Sequence, residues 1–499
     1  MTDASPIVLF TSPCGVGSRE FLTRLARKLP GIRTRYLDDD MLRSIGDGNW
    51  YEAHSRSADR ICQAWVAAFH SLPVDGEPIL AHTHLIHYND DLQLFFPVAD
   101  PAAVLKTSRV RAVVCLCDDV YETLTEARYL GLYKNIEDPA DPNERRERYV
   151  DAIDTVLLWR RLDLISAEGF ARALGVPHYL VAVRHAASNI ANLLRAITEA
   201  KRPRSLYLSH HIREICNSGA EWKRDARLIN VVAETTSPFG VTVFEPTTID
   251  EFIVTYDGQA RVRWPRNYDD GCAYTFNESL EDCLSPLGLT QDGLRADLGR
   301  TMRQIDRDVT WRDLRLVYQS AGFLMWRPFW RGKVSTGAMR ELQVFAQRDD
   351  EGQAILVHQV GDVTSWLTDV IRRKVTESGG TEKSPGFGEA VKLLEAGFLQ
   401  GKIEWLAVLS AIARGISART TRRAPLTAGG TKAGHQLQTR KDEIAARAVK
   451  LIRESTEVFS CVEALQGNGR LQQFVEPNLD DEASIKTFIM SKLQSALVR

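Results

Sequence analysis

At 499 residues the chain is too long for one ordinary core, and about 150 residues per domain gives roughly three units. Its 44% hydrophobic and 26% charged content is that of a soluble globular protein, and a net charge of −2 supplies no basic field for nucleic acid. No apolar run approaches the ~20 residues that cross a bilayer, so no membrane partner is expected.

The start, Met1-Thr-Asp-Ala-Ser-Pro6, lacks the basic n-region of a signal peptide. The eight cysteines are scattered without a CxxC pair, and Cys115 and Cys117 share one face of a predicted strand. Reduced thiols and a cytoplasmic location are the expectation.

Residues 6–200 alternate between strand-like and helix-like segments. Residues 6–11 (PIVLFT), 33–37, 78–82, 110–117 (VRAVVCLC) and 178–183 (HYLVAV) read as buried strands. Amphipathic stretches separate most of them, for example 19–29 and 152–174. This alternation predicts a parallel sheet with helices on both faces. After a basic hinge, Lys201-Arg-Pro-Arg204, the pattern restarts with strands at 205–209, 240–244, 321–326 and 355–360 and helices at 219–234, 300–319 and 337–348.

Residues 253–299 are polar and rich in Asp, Gly and Asn, and read as an insertion or lid carrying Trp264, Tyr268 and Tyr274. Beyond residue 361 no strand signal stands out; 417–436 predicts a flexible linker, followed by helices. The fold class is therefore α/β. Two Rossmann-like, three-layer domains with parallel sheets occupy 1–200 and 205–360, and a mostly helical region occupies 361–499.

Thr11-Ser-Pro-Cys-Gly-Val-Gly-Ser-Arg19 lies between the first strand and the first helix. Glycines there let backbone N–H groups converge on an anion, so Gly15, Gly17, Ser18 and Arg19 are candidate nucleotide-binding residues. A plain glycine turn is the competing reading. With Asp38-Asp-Asp40 after the second strand and Asp118-Asp119 after the fourth, residues 1–200 resemble a P-loop kinase of the adenylate-kinase type. The resemblance departs where a phosphate loop would end Gly-Lys-Ser/Thr, because Ser18 and Arg19 follow Gly17.

His82, His84, His87 and Asp90 suit a strand end better than a closed ligand set, and no metal is expected. Arg145, Arg146 and Arg148 fit a solvated helix face better than a nucleotide lid.

In the second half, Tyr207-Leu-Ser-His-His-Ile-Arg213 ends a predicted strand, and Asp313 lies in the helix before the next. Gly337-Ala-Met-Arg-Glu341-Leu342 then opens another helix. A carboxylate in a first helical turn is kept ionised by N–H groups and the helix dipole, as attack on a sugar carbon requires. Breaking a C1′–N bond builds positive charge on the sugar, so one carboxylate faces the anomeric carbon and a second group handles a proton.

In order and spacing these residues resemble the nucleoside 2-deoxyribosyltransferase family, and within it the deoxynucleoside 5′-monophosphate N-glycosidases, over roughly 205–360. Here Ala321-Gly322 replaces that family's usual acidic residue at the central strand. The resemblance implies Glu341 as nucleophile, Asp313 as its sugar-orienting or proton-shuttling partner, and Tyr207 holding the nucleophile. Asp306, seven residues before Asp313, competes for the partner role.

Arg213, His211, Arg327, Ser335 and Gly337 are the candidate substrate-binding residues, with Trp326–Arg331 offering aromatic faces and cations for a base and a phosphate. The expectation is an N-glycosidase for a nucleotide or nucleoside, needing no cofactor for that chemistry. ATP or another nucleotide is the ligand expected at the first domain, and the family resemblance implies a homo-oligomer. A non-catalytic nucleotide sensor, a nucleoside-monophosphate kinase using Arg19, and a defence effector depleting NAD or nucleotides are the alternatives.

Overall fold

The computed structural model describes residues 5–46, 58–74, 76–89, 94–105, 109–129, 132–133, 141–212, 215, 221–249, 251, 291–349, 352–382, 386–400, 402–418, 430–455 and 457–498. Arg213, Asp90, residues 252–290 of the polar segment and residues 419–429 of the expected linker lie outside them. The chain divides into two compact units: Met1–Tyr207, Ile215–Ala321 and Lys492–Arg499, and Leu208–Glu214 with Gly322–Ser491.

Before residue 205 the strands are β1 (Ile7–Thr11), β2 (Arg33–Tyr36), β3 (Ile79–His82), β4 (Ile86–Asn89), β5 (Leu94–Pro97), β6 (Val110–Cys117) and β7 (His178–Ala182). Five of them form a sheet in the order β2-β3-β1-β6-β7, and each pairing is parallel. The apolar runs explain the order. Every residue of β1 and all but Arg111 of β6 are buried, as strands covered on both faces must be, while polar β2 takes an edge.

Helix Ser18–Lys28 buries Phe21, Leu22 and Leu25 at helical spacing, with Glu20 in its first turn and Arg27 and Lys28 in its last. Helix Pro142–Leu174 starts ten residues before the predicted 152. Asp141 caps it by accepting from Asn143 N, Pro142 follows at the first turn, and left-handed Gly175 ends it. The antiparallel β4–β5 hairpin has no counterpart in the sequence reading.

The later strands are β8 (Ser205–Ser209), β9 (Thr242–Phe244), β10 (Gly322–Trp326), β11 (Ala354–Gln359), β12 (Gly380–Glu382), β13 (Ile416–Ala418) and β14 (Leu471–Glu476). The second sheet runs β14-β11-β10-β8-β9, so the fold class is α/β with two five-stranded parallel sheets. The expectation of no strand beyond 361 is corrected by β14, which pairs in parallel with β11, and by the small β12–β13 ladder. Gln472 and Gln473 hide β14 from a hydrophobic reading, yet Gln473 is used inside the unit. Its amide donates to Phe398 O and Leu399 O, and its Oε1 meets His358 Nε2 at 3.0 Å. Residues 430–436, assigned to the linker, are helical within Gly430–Ser455.

The core of the second unit is aromatic. Phe329 stacks on Trp366 at 4.3 Å, and Phe398 meets both Phe329 and Phe459 edge-on. That cluster fixes the loop after β10. Arg327 and Arg331 there hold φ of 50° and 53°, a conformation that persists in non-glycine residues only when surrounding packing enforces it.

Candidate functional site

In the first unit the chain crosses from β1 to the β3 side of the sheet and later returns to β6 on the other side. Strand order reverses at β1, where an open α/β sheet leaves a crevice beyond the carboxyl ends of its strands. A cavity of about 760 Å³ lies there, lined by residues that include Gly15, Arg19, Asp38, His84 and His87.

The glycine-rich loop enters this cavity, and its glycines have different reasons. Gly15 has φ +90°, and a Cβ there would sit 2.3 Å from Thr123 O on the helix Val120–Tyr129. Gly17 caps helix Ser18–Lys28 at negative φ. The loop therefore needs Gly15 for close packing as well as for any anion. Arg19 pairs with Asp39 at 2.8 Å and lies over the Tyr36 ring at 4.1 Å, both near the cavity rim. Asp118 holds Arg184 at 2.7 Å, and Asp119 caps helix Val120–Tyr129 through Tyr121 N and Glu122 N. Arg148 pairs with Glu144 on an exposed helix face.

The histidine run does more than the sequence suggested. Strands β2 and β3 are parallel with Tyr36 opposite His82, which brings Asp38 level with His84 two residues on. Asp38 accepts from Thr83 Oγ1 at 2.9 Å and from His84 N at 3.3 Å, and its Oδ2 lies 2.7 Å from His84 Nδ1. Burial works against the Asp38 charge. His84, through its charge and hydrogen bond, with His82 and Thr83, outweighs burial and holds the carboxyl below its usual range.

Burial likewise opposes the His84 imidazolium, but the charge and hydrogen bond of Asp38 raise its pKa. His82, buried and beside His84, falls to about 3, and its Nε2 meets Ser12 Oγ at 3.0 Å. His87, in β4, brings its ring centroid 5.4 Å from that of His84. One ligand atom each from Asp38, His84 and His87 lies within 4.8 Å of the others, a set able to hold a metal ion. The expectation of no metal site at these histidines missed Asp38. An aspartate and a histidine each stand just beyond a predicted strand, but the sequence does not show that those two strands are neighbours.

In the second unit, β8 ends at Ser209, whose hydroxyl donates to Glu341 Oε2 at 2.6 Å. Glu341 is buried on helix Thr336–Ala346, and Ser335 caps that helix by accepting from Ala338 N. The expected placement of Glu341 in the first turn is corrected. The cap at Ser335 starts the helix at Thr336, so Glu341 stands in the second turn, where the Ser209 hydroxyl donates to it. Gly337 lies in the first turn, where a Cβ would find only the Ser335 hydroxyl, at 3.8 Å.

His211 Nε2 meets Pro328 O at 2.9 Å, and its ring lies 6.2 Å from that of Trp330. Arg327, a candidate substrate-binding residue, pairs with Asp362 at 3.1 Å and Asp480 at 2.7 Å, so its guanidinium clamps the loop. Asp313 Oδ1 accepts from Arg312 at 3.0 and 2.8 Å, and Arg312 also donates to Pro246 O. Tyr207, fully buried, and Asp313 belong to the first unit, whereas Ser209, His211, Arg327, Ser335, Gly337 and Glu341 belong to the second.

A scan against protein-family models finds no match to this chain, and neither does a search of the curated proteins.

Proposed function

We propose that the protein is an N-glycosidase that hydrolyses or transfers the base of a nucleotide or nucleoside, and that its first unit binds a nucleotide. The observation that carries this reading is the buried Glu341 carboxylate held by Ser209 at 2.6 Å beyond the end of β8. A hydroxyl that fixes one carboxylate oxygen orients the other for attack at C1′. Glu341 forms the ester bond to C1′, the C1′–N bond breaks, and the base leaves with that electron pair and takes up a proton. Water, or a second base, then displaces Glu341.

Trp330 is buried, with Arg331 4.2 Å from its ring centroid and His211 beside it, and is assigned no step. Asp313, engaged by Arg312, and Tyr207 are assigned no step. A homo-oligomer belongs to the same proposal and is read by sedimentation.

The test is base release from dNMPs, NMPs, nucleosides and NAD, with and without ATP, alongside Glu341→Gln. Release by the native chain and none by Glu341→Gln supports the reading. The second reading, a non-catalytic nucleotide sensor, is favoured by the pairing of Arg19 with Asp39, which occupies the cation nearest the missing phosphate-loop lysine. Tight nucleotide binding without base release or phosphate transfer would select it.

A further inference from the structure

We propose that Asp38, His84 and His87 bind one divalent transition-metal ion of the zinc class in the cavity of the first unit. The inference is independent of the Glu341 chemistry, because it uses residues of the first unit alone.

The three side chains come from three places in the chain: the start of helix Leu37–Ile45, the segment after β3, and β4. Their ligand atoms lie within 4.8 Å of one another, and Asp38 and His87 are buried. Metal–ligand bonds of about 2.0–2.2 Å place ligand atoms roughly 3–4 Å apart, so small side-chain adjustments close the shell. Two imidazoles and one carboxylate select zinc, cobalt, nickel or iron over magnesium and calcium, which prefer all-oxygen sets.

The surroundings fit a ligand set. Thr83 Oγ1 donates to Asp38 Oδ1 at 2.9 Å and itself accepts from Trp65 Nε1 at 2.8 Å, fixing the carboxylate from behind. The His87 ring stacks on Phe96, its partner across the hairpin, at 5.9 Å. Such supporting contacts orient metal ligands.

All three residues line the same cavity as the glycine-rich loop. Three protein ligands leave a fourth position toward that cavity, the arrangement of an open site rather than a closed structural one. An anionic oxygen of a bound ligand, such as a phosphate oxygen, is the group chemically suited to that position.

The test uses the full-length chain, stripped with chelator and titrated with Zn²⁺ and Co²⁺ by calorimetry and visible absorption, together with His87→Gln. One equivalent bound by the native chain, with at least a ~10-fold weaker affinity in the variant, supports the site. X-ray absorption on the zinc-loaded native chain decides the case where the variant does not fold. Two imidazoles with an oxygen ligand support the proposal; sulfur ligation overturns it. Absence of zinc binding by the folded native chain, or undiminished binding in folded His87→Gln, also overturns it.

Discussion

The Ser209 hydroxyl and the Glu341 carboxylate, 132 residues apart in sequence, meet at 2.6 Å in the interior of the second unit. A hydrogen bond to a charged group contributes about 1.5–3 kcal/mol, and each ~1.4 kcal/mol is tenfold in rate. If Glu341 is the nucleophile, Ser209→Ala lowers kcat for base release about 10–100-fold and leaves KM within a factor of about three. Steady-state kinetics on the best substrate of the panel checks this. A Ser209→Ala enzyme with native kcat would reduce the contact to a packing role.

Gly15 answers a packing demand that no side chain meets. An alanine there is strained at φ +90° and drives its methyl to 2.3 Å from Thr123 O, so the loop or the helix Val120–Tyr129 must shift. Gly15→Ala is expected to destabilise the first unit by about 2–4 kcal/mol. Gly17→Ala, at negative φ, serves as the comparison in thermal denaturation. Equal melting of the two variants would contradict the packing assignment.

Acid weakens the second unit through its buried histidines. Burial, followed by the charge of His211, lowers His210 to about 3; burial lowers His358 to about 4, against its hydrogen bond to Gln473 Oε1. Both values lie below the 6.5 of an exposed histidine, so unfolding takes up protons. The stabilisation from neutral imidazoles is complete above pH 6.5 and is lost as pH falls toward 4 and 3. Between pH 6.5 and 5 each contributes a loss of about 2 kcal/mol. Urea unfolding at pH 7.5 and 5 should show His358→Gln with about 2 kcal/mol less pH dependence than the native chain. Parallel pH dependence in the two would sink the assignment.

How much of this was legible in the sequence follows from which residues carried the signal. The strands β1, β6, β7 and β10 are apolar runs covered on both faces, and their positions were plain. β14 was not, because Gln472 and Gln473 are polar by composition while Gln473 is satisfied internally by Phe398, Leu399 and His358. The Asp38–His84 pair depends on β2 lying beside β3 in parallel register, and no local pattern contains that adjacency. Arg327 illustrates the converse. Its residue type suits phosphate, but its partners Asp362 and Asp480 come from segments 35 and 153 residues away.

That clamp makes a last prediction about what Arg327 is for. Burial raises the Asp362 pKa against the opposing charge of Arg327, so removing the cation leaves a carboxylate in a poor environment. Asp480 is half exposed and gains little from the pair. Arg327→Gln is therefore expected to destabilise the second unit by about 2–4 kcal/mol, less than the largest buried-pair losses because one partner is solvated. A phosphate-gripping arginine would instead raise KM for a nucleotide far more than for the matching nucleoside, with stability little changed. Melting curves and the two KM values on Arg327→Gln separate the roles. Equal KM effects with a lowered melting temperature fit the clamp; a nucleotide-selective KM rise in a fully stable variant would return Arg327 to the substrate.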